Sequence, residues 1–337
     1  MENKQYISQI GKEFTLEMKR QSQKERIVAM APVAILLALI TILSVVADGF
    51  FSLKNMQTIL SQMAIPLVMS MGLTFVILLG SIDLSGEGLG GFVGSIVSLM
   101  VLNSKNTMDI GAAGMIIAVA SGLAVGIASG IIHVKGRMPS FMVTYAISSI
   151  MAGIAVLSYQ GQPAMIQYEV FIILAQGTFL GIPYLTFIAL LVFAVAFILQ
   201  EYTRFGTYVM AIGDNESVAR NTGININKTK IMVFTWMGLC IGIAGLLGAI
   251  RIGRGEVAIG TGTVFPAVTA VVVGGTALTG GKGGVVNSLI GTIIVTVINN
   301  GLILLGVNTY IQSATQGIII IAAVALSVAR GKKIIVK

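Results

Sequence analysis

Seven neutral polar side chains interrupt otherwise apolar runs of this chain: Gln57, Gln62, Thr74, Asn299, Asn300, Gln312 and Gln316. Carboxamides both donate and accept hydrogen bonds, so they can follow a hydroxyl-rich solute without the cost of burying a charge. The chemistry they suggest is recognition of a small neutral polar molecule along a translocation path. The competing role is plainer: Gln and Asn within apolar helices also bond one helix to another. The ionisable residues are less suggestive of a path. Asp83 and Glu87 fall at a junction between apolar runs, Asp48 and Asp109 at run ends, and Arg251, Arg254 and Glu256 in a loop. None is placed centrally enough to carry ions or protons through a bilayer.

Catalysis and metal binding have little to work with. The chain has one histidine, His133, and one cysteine, Cys240, which excludes an internal disulfide, a thiolate metal site and a histidine relay. No catalytic and no metal-ligating set is expected. Two glycine-rich stretches match nucleotide motifs only superficially. Gly86-Glu87-Gly88-Leu89-Gly90-Gly91 fits G-x-G-x-x-G but has no preceding strand and no βαβ context. The run ending Gly281-Lys282-Gly283 has Thr276 where a phosphate-binding loop needs Gly, and Gly283 where it needs Ser or Thr. The chain is therefore expected to hydrolyse no nucleotide, and any use of ATP must come from a partner.

These residues are positioned by apolar segments. Of 337 residues 55% are hydrophobic and 10% charged, against about 25% charged in an average soluble protein. Between Lys282 and Arg330 there is no charge at all. A bilayer span takes about 20 apolar residues, so the predicted fold class is all-α, a polytopic membrane protein of about ten transmembrane helices. The spans are read near 27-47, 56-80, 87-102, 110-133, 141-158, 184-199, 230-250, 264-278, 284-305 and 310-329. The third is short, and the eighth, bracketed by glycines, is a candidate broken or re-entrant helix. The stretch 159-183 can add a half-helix, so nine or eleven spans are alternatives.

Charge sets the orientation. With both termini cytoplasmic, all but four of the 21 Lys and Arg residues lie on the cytoplasmic side; the exceptions are Lys54, Lys105, Arg251 and Arg254. That asymmetry follows the positive-inside rule, and it explains the net charge of +8 without nucleic acid as a partner. Residues 1-26 form a polar segment with Ile7, Ile10 and Phe14 at helical spacing, either an interfacial helix on membrane lipid or a solvated tail. The first span is expected to be retained rather than cleaved. Residues 27-329 form the membrane domain and 330-337 a basic cytoplasmic tail.

Glycines mark packing and turns. Gly122, Gly126 and Gly130 share one helix face and predict a packing seam. Gly80, Leu84, Ser85, Gly86 and Gly90 repeat at a constant offset as Gly274, Leu278, Thr279, Gly280 and Gly284, the kind of weak internal likeness seen in duplicated transporter halves; chance likeness of two Gly-rich turns is the alternative. The loop 201-229 is the longest polar segment between spans. Within it Asn215 can cap a helix of about two turns, Asp214 and Glu216 favour its positive end, and Gly223 can supply a left-handed stop. Such a helix serves either as a connector or as a docking peg for another protein.

Four separated motifs carry a family resemblance: Leu79-Gly80-Ser81-Ile82-Asp83-Leu84-Ser85, Pro139-Ser140-Phe141-Met142-Val143-Thr144, the loop from Gly213 to Ile224, and the run from Ala270 to Gly283, extended by Asn299-Asn300-Gly301-Leu302. In this order they resemble ribose-type ABC importer permeases, of the branched-chain amino acid/ribose-type binding-protein-dependent class, over residues 60 to 330. The resemblance implies a subunit of the bacterial cytoplasmic (inner) membrane that imports simple sugars. Its implied partners are a cytoplasmic ABC ATPase, which would use the ATP and Mg, an extracytoplasmic solute-binding protein, and a second copy or a related permease. It implies that Gly213, Asp214, Asn215, Glu216, Ala219, Arg220 and Gly223 form the segment that fits into the ATPase. Gly86-Glu87-Gly88 and Ala152 depart from the common family pattern and put the particular sugar in question. An ion-coupled secondary transporter is the main rival; a passive channel and an intramembrane enzyme are weaker ones.

Overall fold

A computed structural model describes residues 30–331. The predicted N-terminal segment 1-26 and residues 332–337 of the basic tail lie outside the described residues. Thirteen helices are described: α1 (Met30–Val46), α2 (Leu53–Leu78), α3 (Gly86–Met100), α4 (Ala112–Gly136), α5 (Ser140–Tyr159), α6 (Glu169–Gln176), α7 (Tyr184–Glu201), α8 (Arg204–Asp214), α9 (Glu216–Asn221), α10 (Ile226–Ile252), α11 (Val264–Val273), α12 (Val285–Leu304) and α13 (Thr309–Gly331). Two minimal antiparallel ribbons tie loops together, β1 (Ala164–Met165) with β4 (Arg254–Gly255) and β2 (Thr178–Phe179) with β3 (Ile182–Pro183).

Among the described residues six helices, α2, α4, α5, α7, α10 and α12, are long and apolar enough to cross a membrane. The third predicted span is short, as expected, at 15 residues for α3, and the eighth is shorter than predicted, at 10 for α11, both well under the length that crosses a bilayer alone. Each follows one of the two longest helices after an irregular stretch: residues 79–85 join α2 to α3, and 253–263 join α10 to α11. Non-helical backbone inside a membrane domain must find internal hydrogen-bond partners. The 79–85 stretch finds two of them on α5, where the hydroxyls of Ser140 and Thr144 accept from the N–H groups of Ile82 (3.1 Å) and Leu84 (2.9 Å); one helical turn further on, Ser148 accepts from Gly88 in the first turn of α3 (2.9 Å).

The two glycine turns of the internal likeness share a local geometry. After α2, Gly80 N–H donates to the Ile77 carbonyl and Ser81 N–H to that of Val76; after α11, Gly275 donates to Val272 and Thr276 to Val271. The left-handed glycines are Gly80 (φ 71°) and Gly275 (φ 109°), so the structural match is shifted by one residue from the sequence offset. Both are the same helix-stopping turn.

The core is centred on α2 and α10, the most buried of the spanning helices. Against α10 packs α4, along its three glycines. A Cβ on Gly122 would lie 2.8 Å from Gly242 Cα, one on Gly126 2.5 Å from the Phe234 carbonyl oxygen, and one on Gly130 3.0 Å from Ile231 Cα. Backbone meets backbone here, which maximises dispersion contact where lipid supplies no hydrophobic drive for helix pairing.

Candidate functional site

Two polar regions occupy opposite ends of α2. At its N-terminal end lies a cavity of about 250 Å³, lined by Lys54, Gln57, Thr58, Ser61 and Gln62 of α2, Ala175, Gln176, Gly177, Thr178 and Pro183 of the α6–β3 segment, and Arg251 of α10. The α2 residues recur at i, i+3, i+4, i+7 and i+8, one face of a helix. Ser52 starts that helix, its hydroxyl accepting from Asn55 N–H at 3.2 Å. None of the lining residues is acidic. Two cations and three glutamines therefore face a space whose every wall can donate hydrogen bonds.

Of the seven neutral polar residues, the structure brings Gln57 and Gln62 together at this cavity. Sequence reading missed Lys54, Ser61, Gln176 and Arg251, although the 54/57/58/61/62 periodicity was a usable signal; Gln176 and Arg251 come from other elements and had none. Of the remaining five, Thr74, Asn299, Asn300 and Gln316 bond helices to one another, and Gln312 bonds the turn that precedes its own helix. Asn300 and Asn55 clasp reciprocally, Asn300 Nδ2 donating to Asn55 Oδ1 at 2.9 Å and Asn55 Nδ2 to Asn300 Oδ1 at 3.1 Å. Thr74 Oγ1 lies 2.7 Å from Ser288 Oγ and 2.6 Å from the Ser70 carbonyl. Gln316 donates to Asn299 at 3.0 Å and Gln312 to the Val307 carbonyl at 2.7 Å.

At the other end of α2 lie α8 and α9. Thr203 caps α8, a helix inside the predicted polar loop 201-229, by accepting from Phe205 N–H at 3.2 Å. Asn215 caps α9, its side-chain oxygen accepting from the N–H groups of Ser217 (3.1 Å) and Val218 (3.2 Å), and Gly223 follows with φ 83°. Glu216 ties α9 to α10: its carboxylate accepts from Lys230 at 2.8 Å and from Arg220 at 3.1 Å. The hydrogen bond from Lys230 is the main reason its carboxyl stays below the ordinary value of 4.5, partial burial opposing it. Ala219 is buried, while Asp214, Asn215, Val218 and Arg220 are exposed. The α8–α9 pair is thus anchored on one side and open on the other. Gly213, at the end of α8, lies with its backbone against the α2 terminus.

A polytopic helical domain with a polar cavity at one end and an anchored helical peg at the other has the organisation of a transport permease. Residues 55–324 match the family described as branched-chain amino acid transport system / permease component, and the chain belongs to that family. It is a multi-pass membrane permease. Among curated relatives, the ribose import permease protein of Escherichia coli (strain K12) is 35% identical over 92% of this chain and 97% of that protein. The L-arabinose ABC transporter permease protein of Azospirillum brasilense is 32% identical over 87% and 85%. The galactose/methyl galactoside import permease protein of Escherichia coli (strain K12) is 33% identical over 87% and 91%. No solved structure is a significant match.

Proposed function

We propose that this chain is the permease subunit of a bacterial ATP-binding-cassette importer that moves a monosaccharide. A binding protein outside the cytoplasmic membrane would deliver the solute. ATP, with Mg, would be hydrolysed by a separate cytoplasmic ATPase that seats on residues 213-224, and the permease would pair with a second copy or a related subunit. Both termini are cytoplasmic in this reading, with about ten membrane crossings when α1, α3, α11 and α13 are counted with the six long helices. The observation that carries it is the placement of an acid-free polar cavity and an exposed, anchored peg at the two ends of one buried helix.

The family membership and the pentose and hexose permeases among its relatives support the cargo class. Gln57, Gln62 and Gln176 suit a solute that presents hydroxyls in several directions. Because a ligand shifts a conformational equilibrium only through differential affinity, the cavity is expected to bind weakly and leave selectivity largely to the binding protein.

The test is uptake of ribose, arabinose and galactose into proteoliposomes holding the permease, its ATPase and its binding protein. Uptake that needs ATP and ignores an ionophore is expected. Uptake that persists without ATP and collapses with the ionophore would establish the secondary-transporter alternative instead.

A further inference from the structure

The end of α2, the turn from Ala277 to Gly284 and the end of α8 meet with no side chain between them. Gly281 N–H donates to the Leu78 carbonyl at 2.9 Å. A Cβ on Gly213 would lie 1.8 Å from that same carbonyl oxygen and 2.6 Å from Gly281 N. A Cβ on Gly280 would lie 2.9 Å from Gly80 N and 3.0 Å from the Gly213 carbonyl. Gly80, Gly280 and Gly281 also hold φ values of 71°, 85° and 72°, which side chains disfavour. Three separate chain segments are in backbone contact at one point.

The start of α8 is held as tightly. Gln200, buried at the end of α7, accepts from Val285 N–H at 2.8 Å and so caps α12, whose N-cap Gly284 has no side chain to do it. A Cβ on Gly206 would lie 2.1 Å from the Gln200 carbonyl. One end of α8 therefore presses on the segment that ends α2, and the other on Gln200 at the end of α7, whose side chain holds the start of α12. Those two helices are in turn laced along their length by Thr74 with Ser288 (2.7 Å), Thr292 with Ser70 (3.2 Å) and the Asn55–Asn300 clasp.

We propose that the junction of Gly213 with Leu78–Gly80 and Gly280–Gly281 is where the stroke of the partner ATPase enters the membrane domain. The α2–α12 pair is the unit it moves, with Gln200 as the second hold. The physical reason is slack. A contact made by long side chains absorbs a displacement by changing rotamers, whereas packed backbones have no such freedom. With 26 residues, α2 runs about 39 Å at 1.5 Å per residue, so motion at Leu78 reaches the wall formed by Gln57 and Gln62 through one buried helix. This inference rests on the importer reading. Gly213 and Gln200 are positioning residues in it, not ligands.

The experiment uses the complete importer in proteoliposomes and reads solute taken up per ATP hydrolysed, with ATPase co-purification as the control for assembly. Gly280→Ala lies outside residues 213-224 and brings its added carbon to 2.9 Å from Gly80 N and 3.0 Å from the Gly213 carbonyl, so the ATPase is expected to bind and hydrolyse ATP while uptake per ATP falls about tenfold, within the range of ordinary coupling energies. Gly153→Ala, on α5 with nothing within 4 Å of the added carbon, is expected to match wild type. Gln200→Ala introduces no clash and is expected to lower the same ratio; if Gly280→Ala fails to assemble, Gln200→Ala decides. An unchanged ratio in the assembled Gly280→Ala complex, or in Gln200→Ala where it decides, overturns the proposal while leaving the importer reading intact. Absence of ATP-driven uptake by the wild type overturns both.

Discussion

The Asn55–Asn300 clasp shows how a single side chain constrains this molecule. Each carboxamide satisfies the other, and both residues are buried. Asn300→Leu would leave the Asn55 carboxamide short of a partner, at a cost of about 1–3 kcal/mol. The expected outcome is a lower melting temperature in detergent, and Asn55→Leu combined with Asn300→Leu should recover part of it; a double variant no more stable than the single would show that the clasp is not the cause. Glu216 gives a second residue-level expectation. Its carboxyl is held below 4.5 chiefly by Lys230, so the ion pair contributes fully above pH 4.5 and is lost only as the pH falls through the lowered value. At 42% side-chain exposure the contribution is small. Reversing charge is harsher: Glu216→Lys with Asp214→Lys sets new cations against Lys230 and Arg220, and loss of both ATPase co-purification and uptake is expected at pH 7. Normal values for both would remove the peg from the account.

Among the elements, the broken connection between α2 and α3 is the most demanding. The N–H groups of Ile82 and Leu84 are carried past the α2 carbonyls, and Ser140 and Thr144 accept from them, while Ser148 accepts from Gly88 in the first turn of α3. Thr144→Val keeps the volume but orphans the Leu84 N–H, at about 1–3 kcal/mol; hydrogen exchange at Leu84 should rise while exchange within α4 stays protected. The α4–α10 seam has the opposite character, being set by volume rather than polarity. Gly126→Leu must push the helices apart against the Phe234 carbonyl and Gly238, both within 2.8 Å of the added Cβ, and is expected to abolish the monodisperse peak in detergent size-exclusion chromatography. A normal elution profile would mean that the seam can open without loss of fold.

On the scale of the whole molecule, the proposed importer requires two ends that communicate. The cavity and the peg share α2, and the proposed orientation puts Lys54 and Arg251 outside and the α8–α9 pair inside. Gln57→Leu and Gln62→Leu together should raise the solute concentration for half-maximal uptake without changing ATPase assembly. Unchanged uptake would move the path elsewhere, for example to a surface shared with a second permease subunit.

Composition and charge placement made the membrane class legible, because no soluble surface can be covered by 10% charged residues. The motif order made the family legible, and the residues around Asn215 already carried the capping pattern that α9 adopts. Other features were hidden for definite reasons. The shortness of the third span and the glycines around the eighth were legible, but the α5 hydroxyls that pair the non-helical 79–85 backbone were not, since hydropathy registers apolar length and cannot see a chain that leaves helix while remaining buried. Asn300 and Gln57 are indistinguishable as polar interruptions; only packing places one in a clasp and the other on a cavity wall. The junction at Gly213 is invisible in one dimension because its three backbones come from positions far apart in the chain. Local chemistry determined which segments enter the membrane and which stay out, and tertiary packing alone decided which buried polar groups bond helices and which remain available to a solute.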